Sequence, residues 1–228
     1  MPQVRVLDAE VVRFEGRAVR GAFGSAGRHL VATVAALGGI DEAAWHAPAL
    51  GTWTLHDLVG HAGRALRTVV VYLDAGRGRA VDVAHAFDYY PAVFRSAHVD
   101  PASIAERARA AAAELGDDPV AGLEQLLDEA VAAVAAAPDD APVATPAGVM
   151  RLVDYLPSRI VELVVHAEDV GVATGTRRDV PGDAAAVALH VVADLAVRVG
   201  EPRELLFGLT GRGGLDPRFS VFGTGARA

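Results

Sequence analysis

The sequence predicts an all-α protein, a four-helix bundle followed by a short, mostly helical C-terminal appendage. Two long stretches carry apolar residues at the 3.6-residue period. One is Leu55, Leu58, Val59, Ala62, Leu66, Val69, Val70 and Leu73; the other is Leu156, Ile160, Leu163, Val164, Ala167 and Val170. Helical runs are separated by turn chemistry at Gly38-Gly39, at Gly116 to Pro119, through the proline-rich stretch 138–148, and at Gly175. The 228 residues, 52% hydrophobic and 22% charged, suffice for one large core. No repeat or solenoid period is visible.

The elements follow in order. Residues 8–37 read as a helix, with Asp8 a candidate N-cap and the glycine pair a stop. Residues 40–53 read as a loop carrying Trp45, Pro48 and Trp53. Thr54 opens the next helix, 54–75, and Asp57 completes a T-x-x-D capping box. Residues 76–100, with Phe87, Tyr89, Tyr90, Pro91 and Phe94, read as an irregular, lid-like segment. Residues 101–137 are alanine-rich and helical, broken near 116–119; 138–148 is a loop. Residues 150–174 form a helix in which Pro157 marks a late start or a kink. A helix at 183–199, a shorter one in PRELLFGLTGR and an irregular tail with one short strand complete the chain. The expected division is a bundle over 1–178 and an appendage over 179–228.

Composition narrows the function. A formal charge of −8 and the absence of a basic stripe argue against nucleic acid or an anionic membrane as partner. The N-terminus lacks the apolar core of a secretion signal, and no apolar run is long enough to span a bilayer; a cytoplasmic protein is expected. Cysteine is absent, which excludes disulfides, thiolate metal sites and a cysteine nucleophile. Lysine is absent too, all 21 basic residues being arginine, which excludes Schiff-base and P-loop lysines. Such an Ala/Arg/Val/Gly-rich, lysine-free composition is expected of a GC-rich genome, for example actinobacterial. Any metal must be held by His, Asp or Glu, and any thiol must come from a cofactor.

The chemistry concentrates in YLPSRIVELVVHAEDVGVATG, 155–175. Beside its apolar arc, within about 80° on a helical wheel, lie Arg159, Glu162, His166 and Asp169. Glu162 and His166 are four apart, so their side chains project together. His61 occupies the matching polar/apolar border of the 54–75 helix. One imidazole from one helix and Glu-x-x-x-His from another make a three-ligand set with a position left for water or substrate. Zn²⁺, Ni²⁺ and Fe²⁺ all accept such ligands. Blander readings stand beside this one. His61 is then a half-buried structural histidine, Glu162 and His166 a surface pair, and Arg159 a partner of Glu162. Asp169 is either a helix-end charge or an acceptor that orients His166. Histidines 29, 46, 56, 85, 98 and 190 share no spacing and read as structural or exposed, with His56 and His85 held in reserve; His56 lies on a different helix face from His61.

Trp45 and GTWTLHDLVGH, ending at His61, together with the R-x-x-E-x-x-x-H-x-x-D of Arg159, Glu162, His166 and Asp169, resemble the signature of the DinB-like metalloprotein superfamily. The branch is that of the mycothiol-dependent maleylpyruvate isomerases, and the resemblance covers about residues 8–175 in order and spacing. It implies a DinB-like bundle and zinc on His61, Glu162 and His166. It also implies a C-terminal arginine near the active site in a GRG context, which falls on Arg212. Two departures are visible: G-T-W-T replaces G-W-T in a loop, and the region after Val180 is shorter than the isomerase's α/β C-terminal domain.

The expected activity is a metal- and thiol-dependent isomerase or S-transferase. The cation would activate the sulfur of a low-molecular-weight thiol such as mycothiol, for attack on an electrophilic carbon of a small substrate. Arg159 or Arg212 would hold a substrate or cofactor carboxylate, and the aromatics of 87–94 would line the pocket or simply pack. Two alternatives remain open. One is a non-catalytic metal- or ligand-binding bundle with a regulatory or scaffold role. The other is a metal-activated hydrolase with Asp169 or His56 as base. A monomer or homodimer is expected.

Overall fold

The computed structural model describes residues 14–83, 85–94, 100–216 and 219–222. Helix α1 spans Gly16–Ala35. Its cap is Glu15, whose two carboxylate oxygens accept from Arg17 N at 3.0 Å and Ala18 N at 2.8 Å. Asp8, the expected cap, lies outside the described residues. Gly38 and Gly39, at φ 54° and 67°, turn the chain after α1.

The loop expected at 40–53 contains regular structure. Helix α2 (Glu42–Trp45) is followed by an antiparallel hairpin of β1 (Pro48–Leu50) and β2 (Trp53–Thr54). Strands this short carry no readable alternation. The hairpin delivers Thr54 to the start of α3 (Leu55–Gly76), where the capping box forms as its sequence demands. Thr54 Oγ1 accepts from Asp57 N at 3.1 Å, and Asp57 Oδ2 accepts from Thr54 N at 3.2 Å.

The described residues that follow α3 hold regular structure where an irregular lid is expected. A 3₁₀ turn, Ala86–Asp88, leads into α4 (Tyr89–Phe94), and Tyr89 and Tyr90 are buried in the core. Pro91 falls in the first turn of α4, where its missing N–H costs nothing. Helices α5 (Pro101–Glu114) and α6 (Pro119–Ala136) each open on an Asp-Pro pair. Asp100 caps Ser103 N, and Asp118 caps Val120 N and Ala121 N.

The loop expected over 138–148 is largely a second antiparallel hairpin, β3 (Pro142–Thr145) with β4 (Gly148–Arg151), in the register Val143 to Met150. Val143, Val149 and Met150 are buried, which anchors it. Helix α7 (Leu152–Thr174) runs through Pro157 and stops at Gly175, φ 73°. Pro157 is still within the second turn and does not end the helix. Helices α8 (Gly182–Arg198) and α9 (Pro202–Leu209) follow, and the described part of the tail contains no strand.

Helices α1, α7, α3 and α6 pack in that cyclic order as a DinB-like four-helix bundle. Leu30, Leu58, Leu66, Leu123, Leu156 and Leu163 fill its axis. Helix α5 lies on the outer face of α3, α8 covers α1 and α7, and α9 packs on α8. Ala184, Val187, Val191 and Leu195 of α8 join the same hydrophobic cluster as the bundle. Among the described residues no helix is long and apolar enough to cross a membrane.

Candidate metal centre

Helices α3 and α7 touch along the bundle, and the periodicity that buries Leu58 and Ala62 on one and Ile160 and Leu163 on the other sets their polar borders face to face. His61, Glu162 and His166 meet there. One potential ligand atom from each lies within 4.8 Å of the others. His166 Nε2 is 3.4 Å from Glu162 Oε2. Two atoms that each bind one cation at tetrahedral angles stand about 3.3–3.6 Å apart, so this pair already has metal-site spacing. The His61 and His166 rings meet edge to face with centroids 4.8 Å apart. Residual exposure of 14% at His166 and 27% at Glu162 leaves the cluster open to a small ligand.

The surroundings fix these side chains. Trp53, delivered by the first hairpin, lies against His61 with centroids 4.6 Å apart. His166 Nδ1 is 3.0 Å from Asp169 Oδ2, the geometry that commits Nδ1 to carrying the proton and frees Nε2. Tyr90 Oη donates to Ser158 O at 3.1 Å and approaches Glu162 Oε1 at 3.4 Å, leaving Oε2 on the histidine side. His61 Nδ1 is buried without a hydrogen-bond partner, a state that polar groups avoid unless something else satisfies them.

Burial, aided by the positive charge of nearby His166, holds the His61 pKa down at about 3. Burial acts the same way on His166, but hydrogen bonds to Asp169 and Glu162 outweigh it and raise its pKa above the usual imidazole range. Burial would raise the Glu162 pKa; the His166 hydrogen bond and the Arg159 charge reverse that and keep it ionised. At neutral pH the cluster therefore offers one neutral imidazole, one carboxylate and one imidazole whose proton a cation must displace.

The remaining site residues expected from the sequence fall in two groups. Asp169 and Arg159 stand beside the cluster. Arg159 does not form an ion pair with Glu162 among the described residues. Instead it is 7% exposed, donates to Tyr89 Oη at 3.0 Å and Ser158 Oγ at 3.1 Å, and lies over the Tyr89 and Tyr155 rings. Arg212 is elsewhere. It is exposed just after α9, its guanidinium 3.3 Å from Thr210 O, and it shares no hydrogen bond or ion pair with the cluster. His56 packs against the rings of Trp45 and His46, away from His61, Glu162 and His166. Sequence reasoning missed Tyr90 and Trp53 as neighbours of the ligand trio. The aromatic run at 87–94 was the only signal for Tyr90, and its contact partner is far along the chain.

A mostly helical bundle with a half-buried His/Glu/His cluster, shared by two non-consecutive helices and spaced as metal ligands are, defines a DinB-like protein. More narrowly, the chain belongs to the mycothiol maleylpyruvate isomerase N-terminal domain family, whose model matches residues 26–171. The matched span includes all three cluster residues and ends two residues after Asp169. No curated protein and no solved structure matches the chain.

Proposed function

We propose that the protein is a divalent-metal-dependent isomerase or S-transferase that uses a low-molecular-weight thiol, mycothiol foremost, on a small electrophilic substrate. His61, Glu162 and His166 hold the cation, Zn²⁺ before Ni²⁺ or Fe²⁺. The observation that carries the reading is the convergence of two imidazoles and a carboxylate within 4.8 Å, one of the imidazoles with a buried, unsatisfied nitrogen. Family membership supports the thiol. When bound, the cation supplies Lewis acidity that lowers the pKa of a thiol entering its fourth position.

The chain's own groups do the rest. Asp169 holds His166 in the tautomer that presents Nε2, and Tyr90 turns Glu162 so that Oε2 faces the imidazoles. Arg159, fixed by two tyrosine rings, keeps positive charge beside Glu162, where it would pair with a carboxylate that the substrate already carries. Arg212, exposed after α9, is the guanidinium available to a cofactor or substrate carboxylate. In the isomerase form, sulfur adds to one alkene carbon, the resulting single bond rotates, and expulsion of the same sulfur restores the alkene. In the transferase form the carbon–sulfur bond is kept and the adduct takes up a proton. Residues 1–178 form the metal-binding unit and 179–228 its appendage. A cytoplasmic setting suits reduced thiols.

Elemental analysis of the purified chain beside His61→Ala, with mycothiol-dependent isomerisation of maleylpyruvate and conjugation of an electrophilic chromophore, tests this. Stoichiometric metal and thiol-dependent turnover in the wild type, both lost in the variant, is the expected result. Equal metal in both proteins refutes the site. Metal without turnover leaves a binding bundle and refutes the enzyme.

A further inference from the structure

We propose that a second ligand site, separate from the metal cluster, lies in the groove between α3 and α5 and takes a small monocarboxylate with an apolar body, its carboxylate held by Arg64. The groove encloses about 330 Å³, within the range of small-molecule sites, roughly 300–1,000 Å³. None of His61, Glu162 and His166 lines it.

Arg64 is the observation that points to an anion. It follows His61 by one turn on α3, lines the groove and is half-buried. Its carbonyl accepts from Thr68 Oγ1 at 2.8 Å, but its guanidinium makes no hydrogen bond and no ion pair among the described residues. A cation taken partly out of water is ordinarily paired. The surroundings sharpen the need. Burial lowers the pKa of Arg64 and Tyr72 and Tyr155 oppose that, while the fixed charges that bear most on it, Arg107 and Arg159, are both positive and lower it further. What the site lacks is a negative charge, and Arg64 is open to one from the groove.

The charges of the groove agree. Arg64, Arg67 and Arg107 line it against one acid, Glu114, in a chain whose net charge is −8. Glu114 is engaged by Arg67 at 3.5 Å, where both side chains are about half exposed. Asp100, the cap of α5, feels the Arg107 charge less than its own bonds to Ser103, and counting it as well leaves the groove positive. The rest of the lining is largely apolar, with Val71 from α3, Ala110 and Ala111 from α5 and Leu126 from α6. A bare sulfate or phosphate would leave those walls uncovered. An organic acid sets its carboxylate on the guanidinium fork and its body along the alanines, whose small side chains keep the space open.

Isothermal titration of the full chain, stripped of metal with an uncharged chelator, tests the site. The probes are benzoate, its neutral isostere benzamide, and sulfate. Saturable benzoate binding is expected, with benzamide and sulfate each weaker by about tenfold or more. Arg64→Gln should weaken benzoate by about tenfold or more, and so should Ala110→Leu, which fills the α5 wall and leaves every charge in place. The Arg64 guanidinium bonds to nothing in the fold and Ala110 is exposed, so both variants should fold, checked by circular dichroism; should one fail, the other decides. His61→Ala should bind benzoate as the wild type does, which separates the groove from the metal cluster. No saturable benzoate binding, unchanged affinity in a folded variant, benzamide or sulfate as tight as benzoate, or loss of binding in His61→Ala overturns the proposal.

Discussion

Gly60 is the point where α3 and α5 come closest, and replacing it with alanine tests that packing. A Cβ there would lie 2.4 Å from Ala112 N, 2.5 Å from its Cα and 2.6 Å from its Cβ. Carbon atoms in contact sit at about 3.5–4.0 Å, so α5 would have to retreat by roughly 1 Å. Backbone atoms of a helix cannot swing aside as a side chain can. Such overpacking costs about 1–3 kcal/mol. Against it, alanine gains about 1 kcal/mol of helix propensity over glycine. Gly21, exposed on α1 with nothing within 4 Å of its would-be Cβ, provides the control. Gly21→Ala should stabilise by about 0.5–1 kcal/mol, while Gly60→Ala is neutral to destabilising by about 2 kcal/mol. The two variants then differ by the steric cost alone, about 1–3 kcal/mol, or roughly 2–12 °C in Tm for a chain of this size. Urea unfolding at constant m-value and calorimetry measure it. If Gly60→Ala stabilises as much as Gly21→Ala, the close approach of α3 and α5 is wrong.

Zinc at a hundredfold excess over its Kd should stabilise the wild type by about 2.7 kcal/mol, or roughly 5–11 °C, in a thermal melt. Glu162→Gln should abolish that shift. Asp169→Ala should weaken zinc binding about 10–100-fold without removing it, read by competition with a chelating dye, because it frees the His166 tautomer. His29 gives a pH dependence. Burial, with help from Arg178 and against Glu168, lowers its pKa below the usual imidazole value of about 6.5. The unfolded chain therefore binds this proton first, and its contribution is complete above 6.5 and lost as the pH falls from 6.5 toward the folded-state value. Stability measured from pH 7.5 down to pH 5 should fall less steeply in His29→Gln than in the wild type; parallel curves would exclude His29 as the source.

The parts of the structure that were legible are those governed by local rules. Thr54 and Asp57 three residues apart specify their capping box whatever surrounds them. Glu162 and His166 four apart on an apolar-striped helix must share a face, and His61 on the border of its own stripe must point near whatever that stripe packs against. The two hairpins were not legible, because strands of two to four residues hold too few positions to show alternation. For Arg159 the sequence leaves open a pairing with Glu162 one turn away or a role in holding a substrate or cofactor carboxylate. Its actual partners include Tyr89, 70 residues distant, and only the tertiary packing of α4 on α7 reveals them. The reach of Tyr90 to Glu162 across 72 residues was illegible for the same reason, although the aromatic run that holds it was a candidate pocket lining.

The ligand trio is split between the second and the last helices of the bundle, with α4, α5, α6 and the second hairpin intervening. A growing or partly refolded chain that has made only α1 and α3 presents a lone imidazole, which grips a divalent ion poorly. On the proposed function, capture of an ion would therefore be a late event that reports a finished topology. Such a cation would not seed the bundle; it would lock one that hydrophobic packing has already closed.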